Sequence, residues 1–80
     1  MDPPHINFID HKSILVINPV GRMRQLFAPF KVQVLQPTSI LVPGTWVLVD
    51  EILPHDQYKI IYRIGDQWWP YNIFRLSVLF

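Results

Sequence analysis

The sequence predicts an all-β domain, folded as a small barrel of about five strands. Its eighty residues contain eight prolines, and a proline inside a helix costs about 3 kcal/mol. The runs between the prolines are rich in valine, isoleucine and aromatic residues, which favour strands. Short runs of this kind, separated by turn residues, are typical of β sandwiches and barrels, and closure into a barrel removes exposed edges.

The composition indicates one globular domain. Half of the residues are hydrophobic and 16% are charged, so there is enough apolar surface for a core. The absence of cysteine excludes disulfides and thiolate metal sites. A net charge of +1 provides no general attraction for nucleic acid or an anionic membrane, and the longest apolar stretch, residues 40–49, is too short to cross a bilayer. The first residues lack the pattern of a signal peptide, so we expect a cytoplasmic protein.

The N-terminal segment, residues 1–12, is polar and begins with two prolines, so we expect it to fray. The barrel domain then comprises residues 13–80. Within it, residues 13–18 form a short apolar run that stops at Pro19. Residues 22–25 carry two arginines and indicate a loop or a single helical turn.

Residues 27–35 show the alternation of a half-buried strand, and its core face carries Phe30, Val32 and Val34. The following loop, residues 36–44, is apolar at positions 40–42, which we expect to cover the end of the barrel.

Residues 45–52 predict the next strand, with the valines facing the core and Trp46 facing outward. Ile52 breaks this alternation by one residue. A bulge at residues 50–51 would restore it, and bulges bend the strands of small barrels. Residues 53–57 contain proline, histidine and aspartate, which predict a turn.

A hairpin around the Gly-Asp pair at residues 65–66 is the best-defined element. A two-residue turn of this composition is typical of type I′ or II′ and needs a positive φ at the glycine. The turn sets the register and places Tyr62 opposite Trp69 on one face. Arg63 then lies opposite Trp68 on the other face. We assign the first face to the core, which leaves Trp68 outside with the guanidinium of Arg63 over its indole.

Two motifs resemble those of SH3-like domains. Residues 43–49, PGTWVLV, resemble their opening strand PG-x-x-V-x-V, and residues 74–79, FRLSVL, resemble the FRLSxL ending of the SH3-like S subunit of the NDH-1 complex. The resemblance implies an SH3-like barrel, with a short 3-10 turn at residues 72–76 before a last strand at residues 77–80. The chain departs from that family in its N-terminal extension and in the Trp68-Trp69 pair of its hairpin. The family is associated with ferredoxin docking, a role that we do not transfer, because Tudor and KOW domains share the barrel.

Catalytic and metal sites find little support in the sequence. The serines at positions 13, 39 and 77 stand in no nucleophile motif, and the neighbouring carboxylates Asp50 and Glu51 diverge on a strand. We therefore expect no enzyme, cofactor or metal. The histidines show no H-x-x-x-H spacing, which is typical of zinc sites. The side chains that could ligate a metal are His5, Asp10, His11, His55 and Asp56.

The aromatic residues of the second half are the strongest functional signal. A small barrel cannot bury all of them, and exposed tryptophan and tyrosine often mark recognition surfaces. We predict a surface for a protein or peptide partner that consists of Trp46, Arg63, Trp68 and Tyr71. A walled groove lined by the three aromatic residues of this set would favour this function.

Two other functions remain open. A basic stripe beside Trp68 would indicate an RNA-binding barrel of the KOW type, and its residues would be Arg22, Arg24 and Lys31. High apolar content with few charges would instead suit a structural subunit that a larger assembly covers.

Overall fold

Residues 4–78 are described by a computed structural model, and they form nine strands and one turn of 3-10 helix. Within this range the strands make three antiparallel sheets of three strands each. The all-β class is confirmed. The nine strands exceed the predicted number of about five. Two of them lie where the sequence indicated a frayed segment and a loop, and one predicted strand is divided between two sheets.

The first sheet is a meander of β1 (His5–Asp10), β2 (Ser13–Ile17) and β3 (Met23–Phe27). The expectation that residues 1–12 fray is wrong for β1, which pairs with β2. The alternation that makes this strand is short: Ile6 and Phe8 pack against the core, and the polar residue Asn7 separates them. Residues 1–3 lie outside the described part of the chain.

Asn18 explains why β3 replaces the loop or helical turn expected at residues 22–25. Its side-chain oxygen accepts hydrogen bonds from the backbone N–H groups of Val20 (3.1 Å) and Arg22 (2.8 Å). Gly21 completes this tight turn with a φ of +87°. The turn returns the chain beside β2, so that Met23 begins a strand.

The turn between β1 and β2 holds the first sheet against the rest of the domain. A hydrogen bond from the backbone N–H of Lys12 lowers the pKa of Asp10 within this turn. The ammonium group of Lys12 donates to the carbonyl of Asp50 at 3.1 Å. The backbone N–H of Ile52 donates to the carbonyl of His11 at 2.9 Å. Both bonds cross to the start of the third sheet.

The second sheet has the order β5-β4-β9 and contains β4 (Phe30–Val34), β5 (Trp46–Val49) and β9 (Phe74–Leu76). The core face predicted for β4 is confirmed, since its first, third and fifth residues are buried. The 3-10 turn lies at Tyr71–Ile73, so the last described strand begins before the predicted residues 77–80. Residues 79–80 lie outside the described part of the chain.

The third sheet has the order β6-β7-β8 and contains β6 (Glu51–His55), β7 (Lys59–Ile64) and β8 (Gln67–Pro70). The break at Asp50 between β5 and β6 restores the alternation, as the predicted bulge would, and Ile52 is buried. The predicted turn at residues 53–57 is wrong in its first half, because Pro54 lies within β6. The backbone N–H of Ile52 donates to His11 and so points away from β7. Backbone groups two residues apart on a strand point the same way, so Pro54 removes no hydrogen bond between β6 and β7.

The hairpin register is confirmed in every pair, with Tyr62 opposite Trp69 and Arg63 opposite Trp68. Gly65 has the expected positive φ of +63°. In the loop before β5, Leu41 is buried whereas Ile40 and Val42 are exposed, so only one of these three apolar residues packs on the core.

Tyr62 joins the inner faces of the second and third sheets. Its ring meets Phe30 edge to face at 5.7 Å between centroids and lies 6.0 Å from Phe74. Ile14 and Val16 of the first sheet belong to the same core. The Tyr62 hydroxyl is buried and has no hydrogen-bond partner among residues 4–78.

Val49→Ala tests the assignment of the inner face. Val49 is fully buried and Leu48 is 56% exposed on the same strand. We expect Val49→Ala to lower the free energy of unfolding by about 2 kcal/mol, because it leaves a cavity, and Leu48→Ala to change it by less than about 0.5 kcal/mol. Urea unfolding followed by circular dichroism measures both. Equal losses in the two variants would contradict the assignment.

Tyr62→Phe tests the buried hydroxyl. Burial raises the pKa of Tyr62, and the nearby Tyr71 raises it further. A raised pKa in the folded state stabilises the fold below the ordinary tyrosine pKa, and this contribution is lost as the pH rises above about 10. Tyr62→Phe should therefore be at least as stable as wild type at neutral pH and lose less stability at alkaline pH. Thermal unfolding from pH 7 to 11, with Tyr62→Leu as the control for ring packing, measures this. A clear loss at neutral pH in Tyr62→Phe would show that the hydroxyl is bonded.

Candidate functional site

The four predicted site residues do not form one surface. Trp46 lies on the outer face of the second sheet, whereas Arg63 and Trp68 lie on the outer face of the third. The inner faces of these two sheets meet through Tyr62 and Phe30. Their outer faces therefore point away from each other, and Trp46 and Trp68 cannot line the same groove.

The outer face of the second sheet carries a continuous set of outward-facing side chains, which we call the Trp46 face. Trp46 is 47% exposed and Leu48, two residues along β5, is 56% exposed. The register places Trp46 opposite Gln33, and Gln33 opposite Arg75, so that one row crosses all three strands. The Trp46 face consists of Lys31, Gln33, Trp46, Leu48 and Arg75.

Polar contacts order the Trp46 face. The ammonium group of Lys31 lies 5.5 Å from the centroid of the Trp46 ring, within the range of a cation–π contact. The amide of Gln33 accepts a hydrogen bond from Arg75 at 2.7 Å and donates one to the carbonyl of Gly44 at 3.2 Å. These contacts hold the side chains in place at the surface.

The charge on the Trp46 face is positive and uncompensated. Lys31 and Arg75 form no ion pair with any carboxylate among residues 4–78, in which the recorded ion pair joins Arg63 to Glu51. The face therefore combines an exposed indole and an exposed leucine with two cations.

The outer face of the third sheet differs in its charge. The guanidinium of Arg63 donates to the carboxylate of Glu51 at 2.8 Å and 3.2 Å and to the carbonyl of Gly65 at 2.9 Å. These bonds correct the expectation that Arg63 covers Trp68, because the carboxylate is the stronger partner of the guanidinium. Trp68 is 39% exposed beside this neutralised pair.

Tyr71 does not belong to the exposed partner surface that the sequence predicts. It begins the 3-10 turn, is half-buried and packs against the core, close enough to Tyr62 to raise its pKa. Trp69 also packs against the core, and its indole nitrogen is buried with no hydrogen-bond partner among residues 4–78.

The basic stripe of the RNA-binding alternative is not formed. Arg24 lies on β3 of the first sheet, and Arg22 lies just before that strand. Lys31 belongs to the second sheet and Trp68 to the third. Arg22, Arg24 and Lys31 are close together in the sequence, but the sequence does not show that β3 and β4 belong to different sheets.

Sequence reasoning missed Leu48, Gln33 and Arg75 as members of an exposed face. The alternation along β5 already placed Leu48 outward, beside Trp46. The positions of Gln33 and Arg75 depend on how β4 pairs with β5 and β9, and no local pattern reports this pairing.

Within residues 4–78, no three histidine, aspartate or glutamate side chains are grouped closely enough to hold a metal ion. The same part of the chain contains no helix long and apolar enough to span a membrane. Comparison with protein-family models, curated proteins and solved structures yields no match.

Fluorescence quenching tests the exposure and charge of the two surface tryptophans. Acrylamide is neutral and reports exposure alone, whereas iodide is attracted by unpaired cations. We expect iodide to quench Trp46 more strongly than Trp68, because Lys31 is unpaired and Arg63 is neutralised. Comparison of Trp46→Phe, Trp68→Phe and Trp69→Phe assigns the quenchable emission. Loss of most of the iodide quenching in Trp69→Phe would contradict the placement of these side chains.

Proposed function

We propose that this protein is a non-enzymatic binding module, built on an SH3-like barrel, that recognises an acidic segment of a partner protein through the Trp46 face. The observation that carries the proposal is the exposure of Trp46 and Leu48 beside two cations, Lys31 and Arg75, that have no carboxylate partner among residues 4–78.

The strand arrangement supports the SH3-like part of the proposal. A single residue, Asp50, separates β5 from β6, so a bent segment contributes to both the second and the third sheet. The 3-10 turn then leads into the short strand β9, which returns to pair with β4. A strand, a 3-10 turn and a short closing strand are the usual end of an SH3-like barrel.

The apolar part of the Trp46 face supports a protein partner. An exposed indole contributes little to folding, but it can supply a large, rigid contact area when a partner covers it. Leu48 extends this area along the strand. Lys31 and Gln33 already have restricted positions, so less side-chain entropy is lost on binding.

The charge of the Trp46 face supports an acidic partner. Lys31 lies two residues from Gln33 along β4, and Arg75 lies opposite Gln33 on the neighbouring strand β9. An acidic segment would pair with both cations while an apolar side chain of the same segment contacts Trp46. Complementary charge of this kind increases the association rate and selects against basic segments.

Protein is favoured over RNA because the cations of the chain are divided among different faces. Sequence-independent RNA binding depends on several phosphate contacts along one groove. The Trp46 face offers two cations, and one of them already lies over the aromatic ring on which a base would stack.

A random peptide library displayed on phage tests the proposal. We expect the selected peptides to be rich in aspartate and glutamate around an apolar residue. A synthetic copy of the most enriched peptide should bind the wild-type protein in a salt-sensitive manner, and Trp46→Ala should weaken this binding about ten-fold or more. Lys31→Glu should also weaken it, through charge repulsion.

Trp68→Ala is the matched control, because it removes an exposed indole from the opposite side of the barrel. Its affinity for the selected peptide should equal that of the wild type. Selection of basic peptides, or a greater loss in Trp68→Ala than in Trp46→Ala, would reject the Trp46 face. Failure to select any peptide, combined with binding of a uridine oligonucleotide, would reject the protein-binding function.

A further inference from the structure

The outer edge of β3 is open to solvent. β3 is the last strand in the order β1-β2-β3, so among residues 4–78 only one of its edges is paired. Its first and last residues, Met23 and Phe27, are each 65% exposed. The register places Met23 and Gln25 opposite Ile17 and Leu15 on the outer face of the first sheet.

The hydrogen-bond pattern shows which residues of β3 have free backbone groups. The β2–β3 ladder is flanked by two backbone bonds, from Asn18 N–H to Arg22 O (2.9 Å) and from Ala28 N–H to Lys12 O (2.7 Å). Bonded and non-bonded pairs alternate along an antiparallel ladder, so Arg24 and Leu26 bond to β2. The N–H and C=O groups of Met23, Gln25 and Phe27 therefore point away from the sheet.

The edge of β3 also lacks the prolines, lysines and bulges that keep many edge strands from pairing with other chains. Prolines stand in the edge strands β6 and β8, at Pro54 and Pro70, and the register of β1 is interrupted near Asp10. β3 has five residues with no proline, no lysine and no interruption in its register. Arg24, its one charged residue, lies on the other face of the strand from Met23 and Phe27.

We propose that β3 is the dimer interface of this protein, with two copies pairing antiparallel about a two-fold axis at Gln25. In this arrangement Gln25 lies opposite its own equivalent, and Met23 lies opposite the partner's Phe27. Every residue in these pairs has outward backbone groups, so each pair exchanges two hydrogen bonds. The two first sheets become one continuous six-stranded sheet.

The symmetry of the edge favours a second copy over a foreign strand. Its three outward residues are centred on Gln25, and the apolar residues Met23 and Phe27 stand at equal distances on either side. A two-fold axis therefore places the sulfur of each Met23 beside the ring of the partner's Phe27, once on each side of the axis and on the same outer face. Arg24 faces the partner's Leu26, so no arginine lies directly opposite another arginine. A foreign strand would require no such symmetry.

The dimer and the Trp46 face use different sheets, so this inference does not depend on the proposed function. Pairing through β3 leaves the second sheet of each copy open. A dimer would present two Trp46 faces, which increases the apparent affinity for a partner that carries two acidic segments.

Sedimentation equilibrium of the full chain, from micromolar to millimolar concentration, tests the dimer. We expect the wild type to approach twice the monomer mass as the concentration rises. Gln25→Pro should remain a monomer over the whole range, because proline removes the central outward N–H without removing a bond to β2. Gln25→Thr is the matched control, since it retains that N–H and should still form dimers.

Amide exchange followed by NMR tests the same interface residue by residue. Raising the concentration should slow exchange at Met23, Gln25 and Phe27 and leave Arg24 and Leu26 unchanged. Phe27→Lys leaves the backbone intact and should weaken the dimer by charging the apolar pair. If circular dichroism shows that Gln25→Pro is unfolded, Phe27→Lys and the exchange pattern decide the question.

Three results would overturn the proposal. The first is a wild-type chain that stays monomeric at millimolar concentration. The second is a dimer whose mass is unchanged in both Gln25→Pro and Phe27→Lys. The third is concentration-dependent protection of amides outside β3, or protection of the β3 amides only when a foreign strand-forming peptide is added.

Discussion

The packing of one ring, Tyr62, against Phe30 and Phe74 determines how the rest of the domain is arranged. This contact brings the inner faces of the second and third sheets together at centroid distances of 5.7 and 6.0 Å. In so short a chain, few other side chains are large enough to span the distance between two sheets. The hydroxyl of Tyr62 stays unbonded among the described residues, so the stabilisation comes from the ring. Once these inner faces meet, strand alternation decides which side chains face outward.

The same constraint separates the aromatic residues by role. Trp69 and Tyr71 pack around the core, whereas Trp46 and Trp68 point outward from sheets on opposite sides. The two outward surfaces have different chemistry because Arg63 has a carboxylate partner and Lys31 has a tryptophan ring. The proposed recognition of an acidic partner therefore involves only the Trp46 face.

Local patterns predicted the elements whose geometry is local. The Gly-Asp turn determined the register of the hairpin, and the buried face of β4 followed from its alternation. The alternation of β1 is short, and β3 (Met23–Phe27) shows no apolar alternation, so the sequence predicts neither strand. Pro54 resembles a turn residue because its place at a sheet edge depends on a distant strand. The grouping of Trp46 with Trp68 failed for the same reason: the sheet that each strand joins is decided by contacts far apart in the chain.

The bonds from the β1–β2 turn to the start of β6 have a consequence during protein synthesis. Lys12 and Asp50 are separated by 38 positions in the chain, so the first sheet leaves the ribosome well before the residues that anchor it. Until Ile52 and Tyr62 emerge, Ile14 and Val16 lack the part of their core that the third sheet supplies, and the β3 edge lies next to them. Neighbouring nascent chains on one messenger are then at risk of joining through this edge too early, and slow emergence of the second half prolongs that risk.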